Sequence, residues 1–107
     1  MQREILTYLQ YNYTEPLRLE TLAEQFHLSE KYLSRYFKQH FHLTLTQYLM
    51  HLRLTHACHL LESTSLPVTE VALQSGFPNV SHFIRSFHAS FRMSPLQYRK
   101  KRDQSFT

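Results

Sequence analysis

The chain has 107 residues, 42% hydrophobic and 19% charged, enough for one compact domain or two very small ones and too few for a second large functional domain. Such a composition is globular, and a single glycine excludes a Gly-rich phosphate loop and argues against many tight turns. Twelve Lys plus Arg against eight Asp plus Glu leave a net charge of +4, unevenly spread.

Glu4, Glu15, Glu20, Glu24 and Glu30 lie near the start, whereas residues 71–102 hold Arg85, Arg92, Arg99, Lys100, Lys101 and Arg102 and no carboxylate. A polyanion could approach that half without charge repulsion. The lone Cys58 cannot form an internal disulfide, and the start MQREILTYLQ lacks the apolar stretch of a secretion signal, so a reducing cytoplasm is the expected compartment. No segment approaches transmembrane length.

In chain order, Ile5, Tyr8, Leu9 and Tyr13 predict a helix over residues 3–13, broken by Thr14–Leu17 with Pro16. Leu19, Leu22, Ala23 and Phe26 predict a short helix over 19–26, followed by a turn at His27 and Leu28. Ser29 is placed to cap the next helix, about 30–41, whose buried face is Leu33, Phe37 and Phe41. Lys31, Ser34, Arg35 and Lys38 then point elsewhere and are free to meet a partner. Thr44 caps a longer helix over about 45–62, stopped by Ser63, Thr64, Ser65 and Pro67. Its apolar set, from Leu45, Tyr48, Leu49 and Leu52 to Ala57, Leu60 and Leu61, faces both flanking regions in turn. After Lys101 apolar periodicity ends, and the tail is expected to fray.

An internal repeat organises these elements. Residues 19–48 can be laid on 68–98: Ala23 meets Ala72 and Gln25 meets Gln74 at an offset of 49. At an offset of 50, Leu33 meets Phe83, Arg35 meets Arg85, Phe37 meets Phe87, Phe41 meets Phe91, Gln47 meets Gln97 and Tyr48 meets Tyr98. The extra residue falls in the turn, and Ser29 and Asn79 correspond as helix caps. A short helix, a tight turn and a capped second helix with an outward Arg form the helix-turn-helix pattern, whose second helix enters the major groove. Here it occurs twice, with a long helix between the copies. Adjacent major grooves on one DNA face lie roughly 34 Å apart, so one chain could read two of them without dimerising.

At this level the chain resembles the DNA-binding domain of AraC/XylS-type transcription regulators, from about Thr14 to Arg99. The most specific part is Val71-Ala72, Gly76-Phe77, Asn79, Ser81, Phe83, Arg85, Phe87, Phe91, Ser94-Pro95 and Tyr98-Arg99. Leu22-Ala23, Leu28-Ser29, Tyr32-Leu33, Ser34-Arg35, Phe37-Lys38, Arg53-Leu54, Ala57 and Leu60-Leu61 also fit. The resemblance implies an all-α fold of about seven helices in a single DNA-binding domain over 1–107. Its parts would be a homeodomain-like three-helix unit at 1–44, a linker helix at 45–62 and a second unit at 64–102. Recognition helices would run over about 30–41 and 80–91. Base contacts are implied for Lys31, Ser34 and Arg35 and for Val80, Ser81, Ile84 and Arg85, with backbone contacts from Lys38, His82, His88 and Arg99.

Three departures stand out. His42 and Arg92 replace the glycine usual after each recognition helix, which costs something like a kcal/mol if the backbone stays left-handed, unless a different turn relieves it. His88 replaces a lysine and weakens one phosphate contact at neutral pH. Val80 and Ile84 make the second reading surface more apolar than the first, which suits thymine methyl contacts.

The aromatic residues have core spacing and form no stacking platform for single-stranded nucleic acid. His40 with His42, and His56 with His59 and Glu62, lack a supporting Cys pair, so no metal site is expected. Cys58 beside His59 is sequence adjacency without the geometry of a nucleophile and base. No cofactor or enzymatic activity is expected. The competing reading is a helical interaction module docking an acidic partner such as a subunit of RNA polymerase. Regulators of this type usually carry an effector-binding or dimerisation domain, which would lie elsewhere in a longer chain.

Overall fold

The structure, a computed structural model, describes residues 2–104, with side chains through Arg102. The described residues form seven helices and no strand: α1 Gln2–Asn12, α2 Leu19–Gln25, α3 Glu30–Phe41, α4 Leu45–Ser63, α5 Val68–Gln74, α6 Val80–Phe91 and α7 Pro95–Gln104. Two compact units are present, one ending at Leu52 and one beginning at Arg53. The helix read from sequence as a linker therefore gives its first half to one unit and its second half to the other.

In the first unit Ile5 and Leu9 of α1, Leu22 and Ala23 of α2, Leu33 and Phe37 of α3 and Leu45 and Leu49 of α4 form one buried cluster. Tyr8 meets Phe26 edge-on at 5.9 Å between ring centroids, seating α1 against the end of α2. The buried residues of the second unit follow the same plan: Leu54, Ala57, Leu60 and Leu61 from α4, Val71 and Ala72 from α5, Phe83 and Phe87 from α6, with Phe77 and Pro95.

The sequence repeat becomes a repeat of packing. Phe37 lies 4.6 Å from Phe41 and 5.6 Å, edge-on, from Tyr48. Phe87 lies 4.6 Å from Phe91 and 5.5 Å, edge-on, from Tyr98. The two Gln matches are explained by capping. The Thr44 hydroxyl accepts from the Gln47 amide at 3.1 Å while the Gln47 side chain accepts from the Thr44 amide at 2.9 Å. Ser94 and Gln97 repeat both bonds at 3.1 and 2.9 Å. These reciprocal boxes start α4 and α7 by purely local means.

The turns also repeat. The Leu28 amide reaches back to the Ala23 carbonyl at 2.9 Å and the Phe77 amide to the Ala72 carbonyl at 3.0 Å, each across a left-handed residue, His27 (φ 57°) or Gly76 (φ 99°). His42 and Arg92 keep the left-handed backbone that a glycine would favour, both at φ 59°, and their amides close on Lys38 and His88 at 2.9 and 2.8 Å. The strain is thus retained, with no alternative turn. His42→Gly and Arg92→Gly should each stabilise the protein by about 0.5–1 kcal/mol, read as a higher urea midpoint. No gain at either position would mean that the side chains compensate for the strain.

α7 reaches Gln104, past the point where periodicity fails and fraying is expected. Its last described turns are held by contacts distant in sequence. The remaining residues of the expected tail, 105–107, lie outside the described residues.

Candidate nucleic-acid interface

Ser29 opens α3 by accepting the Tyr32 amide at 3.1 Å, and Asn79 opens α6 by accepting the His82 amide at 2.8 Å. With the helix starts set, the burial of Leu33 and Phe37, and of Phe83 and Phe87, sets the rotation of each helix. Lys31, Ser34, Arg35 and Lys38 are consequently exposed along one stripe of α3, spaced by three and four. On α6, Ser81, Ile84, Arg85 and His88 form the corresponding exposed stripe, with Val80 half-buried beside it.

Lys31, Arg35, Lys38 and Arg85 have no hydrogen-bonding or ionic partner among the described residues. A surface arginine held in an internal ion pair would have part of its donor fork occupied; the five N–H donors of Arg35 and Arg85 are available to an incoming acceptor. His82 differs. It is half-buried, its ring 5.8 Å from that of Phe77, and its Nδ1 is buried without a partner among the described residues. Only its other ring nitrogen remains for an outside contact.

Arg99 is committed elsewhere. Its Nε donates to the Leu61 carbonyl at 3.3 Å and its Nη1 to the Leu66 carbonyl at 2.6 Å. Arg102 Nη1 donates to the carbonyls of Leu61, Glu62 and Thr64 at 2.9, 3.1 and 3.2 Å. The two guanidinium groups therefore serve the carbonyls left unpaired at and just beyond the end of α4, where positive charge is also favoured by the helix dipole. The repeat register explains the arginine's inward position, since Arg99 corresponds to Leu49, which is buried in the first unit. Arg99→Ala should cost about 1–3 kcal/mol of stability in urea unfolding, with only partial recovery in Arg99→Lys, because one ammonium cannot reproduce the planar fork. Unchanged stability with weakened DNA binding would instead make Arg99 a phosphate contact.

Beside this clasp, the Tyr98 hydroxyl donates to the Glu62 carboxylate at 2.6 Å. That bond, with burial and the Cys58 side chain, pushes Tyr98 ionisation well above the usual phenol range. Burial likewise pushes the Cys58 thiol up, opposite to the shift a reactive cysteine requires. Glu62, grouped by spacing with His56 and His59, faces Tyr98. Among the described residues no group of three or more His, Cys, Asp and Glu is placed to hold a metal ion, and no helix is long and apolar enough to cross a membrane.

One residue of the exposed faces escaped the reading of single helices. Glu30 is exposed at the first turn of α3, at the position that Val80 holds in α6. The register of the repeat is the signal that identifies it.

Two helix-turn-helix units with outward recognition helices define a paired nucleic-acid-binding fold. Residues 22–101 match the helix-turn-helix domain family. The chain is 39% identical over 102 residues to the HTH-type transcriptional activator RhaS of Enterobacter sp. strain 638, covering 95% of this chain and 37% of that protein. Among solved structures it superposes on the C-terminal domain of the two-component response regulator yesN from Fusobacterium nucleatum with a TM-score of 0.89. The identity is 35%, with 92% of this chain and 96% of that one covered. The DNA-binding domain of the transcriptional factor AdpA, solved with a target DNA, superposes with a TM-score of 0.88 at 27% identity, covering 92% and 89%. The chain belongs to the AraC/XylS family of helix-turn-helix domains.

Proposed function

We propose that the chain regulates transcription by binding duplex DNA site-selectively, with α3 and α6 entering successive major grooves. The observation that carries this is the equivalent placement of Arg35 and Arg85, each exposed on a capped recognition helix and unpaired among the described residues. Lys31, Ser34 and Arg35 in the first unit and Val80, Ser81, Ile84 and Arg85 in the second are the base-facing set, able between them to pair with guanine or adenine edges and to touch thymine methyls. Lys38, His88 and the free ring nitrogen of His82 face phosphates; Arg99 is left out because its Nε and Nη1 donate to Leu61 and Leu66 and its Nη2 is buried.

Net charge is divided unevenly between the units. Up to Leu52 five Lys and Arg meet five Glu, whereas from Arg53 onward seven cations meet three carboxylates, so the net +4 belongs to the second unit. Binding is salt-sensitive through the exposed recognition-helix cations Lys31, Arg35, Lys38 and Arg85, since each phosphate they neutralise releases a counterion. DNA as partner implies a cytoplasmic regulator and no catalytic role. The RhaS relative is much longer than this chain, and an effector-binding or dimerisation domain belongs to such a longer polypeptide.

The test is selection from random duplexes at physiological salt. The expected result is a bipartite consensus. Affinity no better than that of a generic polycation would favour the helical module that docks an acidic protein.

A further inference from the structure

The outward face of α6 differs in chemistry from that of α3. The repeat register sets Val80 against Glu30 and Ile84 against Ser34, whereas Ser81 and Arg85 stand against Lys31 and Arg35. Val80 and Ile84 are four apart and lie one above the other, an apolar ridge beside the polar ridge of Ser81 and Arg85. Ile84 is no core residue that spills outward: it is 41% exposed, while its neighbour Phe83 is completely buried.

A branched hydrocarbon side chain can neither donate nor accept, and pressed against a polar base edge it would leave that edge desolvated and unpaired. The C5-methyl group of thymine is the one alkyl group that an unmodified base pair offers in the major groove; 5-methylcytosine carries the same group. Resting on the reading of α6 as a recognition helix, we propose that Ile84, with Val80 beside it, selects pyrimidine C5-methyl groups, and hence thymine, in the second half-site. The same ridge rejects base pairs that present unmatched donors or acceptors there, so part of the selectivity is exclusion. The first unit, with Glu30 and Ser34 at the equivalent places, has no such ridge.

The test uses the 107-residue chain and the duplex it selects. Replacing each second-half-site dT by dU removes only a methyl, and at one or two positions binding should weaken about fourfold, the effect of withholding one methyl-sized group from burial. The same replacement in the first half-site should have no effect. Ile84→Ser should abolish the dT over dU preference, and Ile84→Val should retain it. At the sensitive position, 5-methyl-dC paired with dG should bind better than dC paired with dG. Equal binding of dU and dT throughout the second half-site, or no gain from 5-methyl-dC, would overturn the proposal while leaving the DNA-binding reading intact. Failure to select any duplex would remove the DNA-binding reading, and this inference with it.

Discussion

Arg35→Ala and Arg85→Ala are each expected to weaken binding to the selected duplex by about 5- to 150-fold, the loss associated with one bidentate base contact of about 1–3 kcal/mol. Each should relax the consensus in one half-site only, because the two arginines belong to separate units. The double variant should approach the product of the two effects, as for distant independent sites. Lys38→Ala provides the contrast: a phosphate contact is lost, affinity falls about equally for all sequences, and the salt slope drops by roughly one. Titration of labelled duplexes at several salt concentrations checks all four. If neither arginine variant weakened binding or relaxed any position, the helices would be wrongly assigned.

Phe37→Ala and Phe87→Ala should be the most damaging substitutions for stability. Both rings are essentially inaccessible to solvent, and each anchors a three-ring cluster, with Phe41 and Tyr48 or with Phe91 and Tyr98. Truncating a buried Phe costs about 3–5 kcal/mol, much of the total stability of a small domain. Amide hydrogen exchange should show protection falling first in the unit that carries the substitution. Simultaneous loss in both units from either variant would mean that the two cores unfold as one.

Much of this architecture was legible because its determinants are local or periodic. The 30–41 expectation coincides with α3 because a cap at Ser29, an apolar stripe and a terminal turn at His42 bound its twelve residues directly. The helices expected at 3–13, 19–26 and 45–62 differ from α1, α2 and α4 by a residue or so at their ends, as frayed termini do. The repeat announced the two helix-turn-helix units, and also the outward placement of Arg35 and Arg85.

Other features were hidden for physical reasons. The last turns of α7 depend on Arg102 reaching carbonyls about forty residues away, which no hydropathy period records. The left-handed backbone at His27 was masked because a histidine stands where the second unit has Gly76. The hydrogen bonds of Arg99 to the Leu61 and Leu66 carbonyls join groups more than thirty residues apart, which no local pattern records. Of the reading surface, exposure and the absence of internal partners are visible in the structure; the bases that meet it depend on the operator.

The reciprocal Thr44–Gln47 and Ser94–Gln97 caps have a further consequence. Because each is completed within four residues and sits beside the same three-ring cluster, the frame that presents a recognition helix is the same in both halves and independent of what that helix displays. The outward residues Glu30, Lys31, Ser34 and Arg35 thus stand on a frame equivalent to the one that carries Val80, Ser81, Ile84 and Arg85. The scaffold behaves as a socket made twice, into which two different reading faces have been fitted.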